Sequence, residues 1–258
     1  LFTLRTFCLC AAADPLLFAT LVEPHGLRLF CLNPAVFVRQ TASRFTFVLA
    51  MSATLTPFSY YARMLGVEED RAVTLELPSP FPRENRLLLA VSSVDTSFKA
   101  RHRDADAIAD LIIRTVSLRT GNYLVFFPSF AFRDLVVSRF PPGAYRCLLQ
   151  TPAMRTEAVL RQLRNNRDET LLLCGVQGGV FAEGVDYPGH LAIGAFVVGP
   201  GLPMVSPERK LLEAYYETLD GTGKGFDLAY VTPGVVRAVQ AGGRVIRSET
   251  DRGFVMLI

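Results

Sequence analysis

Lysine is nearly missing from these 258 residues: only Lys99, Lys210 and Lys224 occur, so arginine carries almost all of the positive charge. The formal net charge is +3, without the large excess of one sign that marks an extreme polyanion binder. No run of about 18 uncharged apolar residues occurs, so no segment reads as a membrane-spanning helix. The N-terminal apolar stretch is broken by Arg5, Asp14 and Pro15. The cysteines are odd in number: Cys8, Cys10, Cys31, Cys147 and Cys174. Their apolar neighbours point to reduced, mostly buried thiols in a cytosolic protein rather than to a disulfide framework. Cys8 and Cys10 are two apart, and neither a second pair nor a histidine cluster completes a zinc or iron–sulfur set. No metal site is therefore expected within the chain.

A phosphate loop, G-x-x-x-x-G-K-[ST], is also lacking. In "DGTGKGFDLAY" (220–230), Gly223-Lys224 could be the G-K pair of such a loop. Thr218 then stands where its first glycine belongs, and Gly225 where its magnesium-binding hydroxyl belongs. The preceding "SPERKLLEAYYETLD" reads as a helix, with Leu211, Leu212, Tyr215, Tyr216 and Leu219 at helical spacing. "FDLAYVTP" after it reads as a short strand. The segment Gly221-Thr222-Gly223-Lys224-Gly225 is therefore read as a turn between helix and strand.

What is present is a chain half apolar, long enough for one large domain, or one domain and part of a second, with an unstapled core. It starts at Leu1 rather than Met and stops within the apolar "GFVMLI", and is read as part of a longer protein. Strand-like runs recur at 27–33, 44–52, 86–93, 122–129, 170–176, 191–199, 226–232 and 253–258. They are continuous rather than alternating, as in strands buried on both faces. Helical patterns at 104–121, 131–140 and 154–166 lie between several of them. The expected fold class is α/β, a parallel sheet with helices on both faces. "VTLELPSPFPRENRLL" (73–88) has three prolines and no helical period, which places a seam near residue 80. Residues 1–80 are then the tail of one sheet, and residues 81–258 a nearly complete second one.

Four segments lie beside expected strand ends, where open parallel sheets place ligands. "MSATLTP" (51–57) offers the hydroxyls of Ser52 and Thr54. It also reads as an ordinary helix start, with Thr56 as cap and Pro57 in the first turn. "NYLVFFPSF" (122–130) ends in Ser129 and Phe130, a hydroxyl for a phosphate and a ring for a base, or else a turn with a core aromatic. "GGVFAEGVDYPG" (178–189) combines four glycines with Glu183 and Asp186, carboxylates amid apolar residues and costly to bury unless they bind something. In "QAGGRVIRSETDRG" (240–253), Gln240, Arg244 and Arg247 share one face if the segment is helical, an arrangement suited to a triphosphate and its attacking water. Glycines 242 and 243 within such a helix cost about 1 kcal/mol each against alanine, which suggests close approach of another backbone.

In this order and spacing the segments resemble motifs III to VI of superfamily 2 DNA helicases of the Rad3/XPD group, with the bacterial DinG-like helicases as the nearest branch. "SAT" (52–54) looks like motif III, "YLVFFPSF" like motif IV, "GVFAEGVDYPG" like motif V, and "QAGGRVIRSETDRG" like an extended motif VI with its trailing Asp251-x-Gly253. "RLFCLNP" (28–34) and "KGFDLAY" (224–230) are also similar, so the resemblance runs from about residue 27 to the end. Gly242 departs from it, since alanine is frequent there.

The resemblance implies two RecA-like domains that sandwich ATP and move 5′ to 3′ on single-stranded DNA. The chain would hold the end of the first domain and the whole of the second. Arg247 would be the arginine finger, with Arg244 and Gln240 also facing the γ-phosphate. Glu183, Gly184, Asp186, Asp251, Ser52 and Thr54 would bind or couple the nucleotide, and Ser129 and Phe130 would touch DNA. Missing are the Walker A loop, the Asp-Glu-Ala-His magnesium motif and the four cysteines of the family's iron–sulfur cluster. ATP and Mg²⁺ would then be held mainly by the first domain, and any cluster would lie outside this chain. Repair or replication proteins are further partners the resemblance leaves room for, and the bacterial nucleoid in the cytoplasm is the expected location. The chain alone would be inactive. Two other readings stand beside this one. One is a non-catalytic nucleic-acid-binding or regulatory module on a helicase-like domain. The other is an unrelated α/β nucleotide enzyme with Asp186 on a ribose, which would need a glycine-rich loop after its first strand.

Overall fold

The computed structural model describes residues 2–12, 16–68, 71–143, 145–220 and 223–258. The chain divides into two compact units, residues 1–77 with 203–233, and residues 78–202 with 234–258. In the first unit, helix α1 (Phe2–Ala11) precedes an antiparallel hairpin, β1 (Phe18–Glu23) and β2 (Gly26–Cys31), and helices α2 (Ala35–Ala42) and α3 (Phe58–Leu65) follow. The second unit alternates strand and helix: β3 (Arg86–Ala90), α4 (Arg101–Val116), β4 (Asn122–Phe127), α5 (Phe130–Val137), β5 (Arg146–Leu149), α6 (Thr156–Asn165), β6 (Leu171–Val176), the single turn α7 (Val180–Glu183) and β7 (Gly194–Val197). Helices α8 (Pro207–Asp220) and α9 (Lys224–Phe226) belong to the first unit. After them come α10 (Thr232–Gly242), whose residues 234–242 lie in the second unit, and β8 (Gly253–Leu257).

The six strands of the second unit pair in parallel, in the order β3-β8-β7-β4-β6-β5. The continuous apolar runs have their cause here: every residue of β4 and β7 is buried, because helices cover both faces. On one face Ile108 and Ile112 of α4 and Phe132 and Val136 of α5 pack on Tyr123, Val125 and Phe127. On the other, Val159 and Leu163 of α6, Phe181 of α7 and Ala241 of α10 pack on Leu124, Phe126 and Val197. Helix α4 forms as its pattern dictates. Its buried residues recur at 105, 108, 109, 112 and 116, with Asp104 in the first turn and Arg114 in the last.

Gly194 shows how tightly the sheet is filled. It pairs with Tyr123 on one side and Phe254 on the other, and those two rings lie 6.0 Å apart. A Cβ at Gly194 would run into the Phe254 ring. Gly194→Ala is therefore expected to destabilise the second unit by about 1–3 kcal/mol through overpacking. A lower denaturant midpoint at unchanged m-value would show it.

Several sequence expectations are corrected. The run 44–52 forms no strand: Phe45, Phe47, Val48, Leu49 and Met51 are exposed, and among the described residues no strand pairs with it. A strand is stable only when a neighbour takes its N–H and C=O groups, and composition cannot supply that neighbour. Residues 226–232 are helical instead of extended, passing from α9 through a wide turn, Asp227–Val231, into α10. The Phe226 and Tyr230 rings stack at 5.0 Å, a helical i, i+4 pair, and Ala229 and Tyr230 are buried against Tyr215 and Tyr216. Short apolar runs do not distinguish the two states by period alone.

At the start of α3 the cap position is Pro57, with no side-chain cap from Thr56. In the glycine turn, Gly221 and Thr222 lie outside the described residues. Gly223 has the left-handed φ of 91°, and the Glu217 carboxylate accepts from the N–H of Gly223 (2.7 Å) and of Gly225 (2.8 Å). Amides that a phosphate loop would aim at its ligand are spent on a side chain of α8.

Candidate functional site

Helix α10 stops at Gly242, so Arg244 and Arg247 do not share a helical face as the spacing suggested. Residues 243–252 also lead into the amino end of β8, not away from a carboxyl end. The two guanidiniums nevertheless meet. Arg244 Nη1 lies 3.2 Å and Arg247 Nε 2.9 Å from the same oxygen, Oδ1 of Asp186. Two guanidiniums against one carboxylate leave these three side chains one net positive charge.

Their environments differ. Arg244 donates from Nε to the Ala182 carbonyl (2.8 Å), from Nη2 to that of Glu183 (2.6 Å) and from Nη1 to that of Val185 (3.5 Å). It thus caps the unpaired carbonyls at the end of α7 and fixes the loop that carries Asp186. Arg247 is more open, with 37% of its side chain exposed against 17% for Arg244. Glu183 and Asp186 are both exposed, which corrects the expectation that they are costly buried carboxylates. The apolar neighbours Phe181, Val185 and Tyr187 turn inward instead, and the Tyr187 hydroxyl donates to the Phe181 carbonyl at 3.0 Å. Gly184 closes α7 as its C-cap.

Asp251 is buried and joins the two loops. Its Oδ1 accepts from Gly189 N–H (2.9 Å) and its Oδ2 from Arg247 N–H (2.8 Å). Burial pushes its carboxyl pKa up. Hydrogen bonds from the Ser248 side chain and from the amides of Arg247, Gly189 and Ser248 outweigh that and hold it below the usual carboxylate value. Gln240 lies half-buried in the last turns of α10. Gly242 is buried under β8, where a Cβ would come within 3.0 Å of the Val255 side chain; the crowding there is by side chains, which corrects the expected approach of another backbone at Gly242 and Gly243.

A second set of groups lies beyond the carboxyl ends of β4, β5 and β6. Ser129 is the N-cap of α5, its Oγ accepting from Phe132 N–H at 3.3 Å, and Phe130 beside it is 41% exposed. Sequence reasoning missed their supports. Buried Arg133 places its guanidinium 5.0 Å from the Phe130 ring and donates to Asp134 Oδ1 and, at 2.5 Å, to the Gln150 carbonyl. Gln150 Oε1 accepts from Val176 N–H at 3.0 Å. Arg237 of α10 donates to the Gly201 carbonyl at 3.2 Å and lies against Gly178, whose φ of 77° favours glycine. The available signal was a polar residue directly after a buried strand, Gln150, and an arginine within an apolar helix, Arg237.

Ser52 and Thr54 belong to the first unit, where they form a local turn. Ser52 Oγ lies 3.2 Å from Thr54 Oγ1 and accepts from Thr54 N–H. Among the described residues no three His, Cys, Asp or Glu side chains come together to hold a metal ion, and no helix is long and apolar enough to cross a membrane.

Residues 112–258, more than half of the chain, match the family described as "Helicase C-terminal domain". The chain is 26% identical over 264 residues to the general transcription and DNA repair factor IIH helicase subunit XPD of Schizosaccharomyces pombe, covering 93% of this chain and 33% of that protein. It is 28% identical over 230 residues to the ATP-dependent DNA helicase DinG of Photobacterium profundum, covering 84% and 32%. Among solved structures, an XPD helicase aligns with a TM-score of 0.73 at 22% identity, over 99% of this chain and 46% of that one. The chain spans about a third of the length of the curated relatives it matches. Motif order, the RecA-like parallel sheet and these matches agree that the chain belongs to the helicase C-terminal domain family, as the C-terminal region of a superfamily 2 helicase of the Rad3/XPD group.

Proposed function

We propose that this chain supplies the second motor domain of an ATP-dependent helicase that moves 5′ to 3′ on single-stranded DNA, with residues 1–80 as the end of the first domain and the linker and 81–258 as the second. Its arginines reach a triphosphate gripped by a first domain. The observation that carries the reading is the convergence of Arg244 and Arg247 on Asp186. With 37% and 53% of its two side chains exposed, the Arg247–Asp186 pair contributes at most about 1 kcal/mol. An incoming γ-phosphate, with more charge and bidentate geometry, displaces it.

Arg247 then neutralises charge that builds on the transferring phosphoryl group, and Gln240 helps orient the water. Arg244 keeps its carbonyl partners and holds the 178–189 loop in register. Asp186, released, takes part with Glu183 and Gly184 in reporting the nucleotide to the DNA side, while Asp251 keeps the two loops together. Ser52 and Thr54 do the same coupling from the first domain. Ser129 spends an acceptor lone pair on its helix, which leaves its hydroxyl hydrogen for a DNA phosphate, with the Phe130 ring beside it for a base. In this reading ATP and the magnesium that accompanies it are held mainly by the first domain, and any iron–sulfur cluster lies elsewhere in the full-length protein.

The 258-residue chain alone is expected to release no appreciable phosphate from ATP, with or without single-stranded DNA. Hydrolysis that survives Arg247→Ala in this chain would contradict the assignment.

A further inference from the structure

Arg101, the first residue of α4, carries a guanidinium with no counter-charge among the described residues. Its Nε is buried with no hydrogen-bond partner, and among the described residues it makes no ion pair. The nearby carboxylates are engaged elsewhere. Arg103 takes Asp104 at 2.7 Å and approaches Asp95 at 3.9 Å, while the amides of Asp95 and Ser97 bond the same two side chains. Among the described residues, aromatic faces hold the Arg101 guanidinium: its carbon lies 4.8 Å from the Phe132 ring and 5.3 Å from the Phe98 ring. Burial lowers its pKa, as expected for a cation lacking a partner. A half-buried charge without an anion is costly unless an anion joins it, and a guanidinium presents a donor fork that fits phosphate.

Phe98 is the complementary oddity. It is 81% exposed, although a ring of that size gains most from burial. The loop that carries it crosses the carboxyl end of the sheet, where a Cβ at Gly199 would meet Thr96 at 2.7 Å and Pro128 at 3.6 Å. That is the end where Ser129 caps α5, and Phe132, which flanks Arg101, donates its N–H to that serine.

We propose that Phe98 and Arg101 form a further step of the single-stranded DNA track, in which a base stacks on the Phe98 ring and the adjoining phosphate binds Arg101. This rests on the reading of the chain as a helicase domain. It extends the strand-contacting surface from Ser129 and Phe130 to the loop after β3.

The test is fluorescence anisotropy of a labelled oligo-dT titrated with the 258-residue chain over a series of salt concentrations. Phe98→Ala is expected to weaken binding about 5- to 100-fold, the loss of one stacked base, and Phe98→Trp to restore it. Arg101→Ala is expected to weaken binding and to reduce the slope of log K against log salt by about 0.7, the signature of one lost phosphate contact. Phe98 is exposed, so its variants should melt with the wild type. Wild-type affinity and slope in both alanine variants, beside a loss in Phe130→Ala, would overturn this inference and leave the helicase reading standing. Failure of the wild-type chain to bind oligo-dT would overturn both.

Discussion

In an enzyme that carries both motor domains, Arg247→Ala is expected to lower ATP turnover by about 10³-fold or more while changing ATP affinity far less. The asymmetry follows from where Arg247 stands. Among the described residues its side chain makes one exposed ion pair, with Asp186, so removing it leaves no buried group there unsatisfied and the fold intact. What is lost is a guanidinium aimed at charge that grows during phosphoryl transfer, an interaction stronger in the transition state than in the bound substrate. Arg247→Lys keeps the charge without the planar fork and should recover only part of the rate. Arg244 differs: its three carbonyl partners mean that Arg244→Ala loosens the loop as well as the charge. Phosphate release measured beside a nucleotide-binding titration separates the two. Turnover within about tenfold of wild type for Arg247→Ala would remove this residue from the chemistry.

Asp251→Ala is expected to cost about 1–3 kcal/mol of folding stability, because it removes the acceptor of the part-buried amides of Gly189 and Arg247 and unties the two loops. The pH dependence has a definite sign. Hydrogen bonding holds the folded carboxyl below its unfolded value of about 3.9. The unfolded chain therefore binds the proton first, so the carboxylate's contribution is full above that value and is lost as pH falls through the folded pKa. Denaturation at stepped pH should show wild type and Asp251→Asn converging in acid and separating toward neutrality. Parallel curves across that range would mean that the carboxylate is not the group that joins the loops.

Much of the second unit was legible because its signals are local. A strand covered on both faces must be apolar along nearly all of its length, and β4 beyond Asn122, β6 and β7 are. The helices between them show their buried stripe at a 3.6-residue period, and the order of the motifs along the chain carries the resemblance to the family. The failures have one cause. Residues 44–52 have a strand's composition but, among the described residues, no strand to pair with, and residues 226–232 take the helical state because Tyr215 and Tyr216 offer a surface for Ala229 and Tyr230.

The sequence by itself determined the alternation of strands and helices, the glycines where no Cβ fits, and which arginines, carboxylates and hydroxyls were available. Tertiary structure alone decided how they meet. Helical spacing does not bring Arg244 and Arg247 together, since their helix ends before either. Asp186, separated by 58 residues from Arg244, draws both guanidiniums to one oxygen. Charge attraction acts through space and not along the chain. Which cation finds which anion is therefore settled only when the sheet has folded and set the two loops side by side.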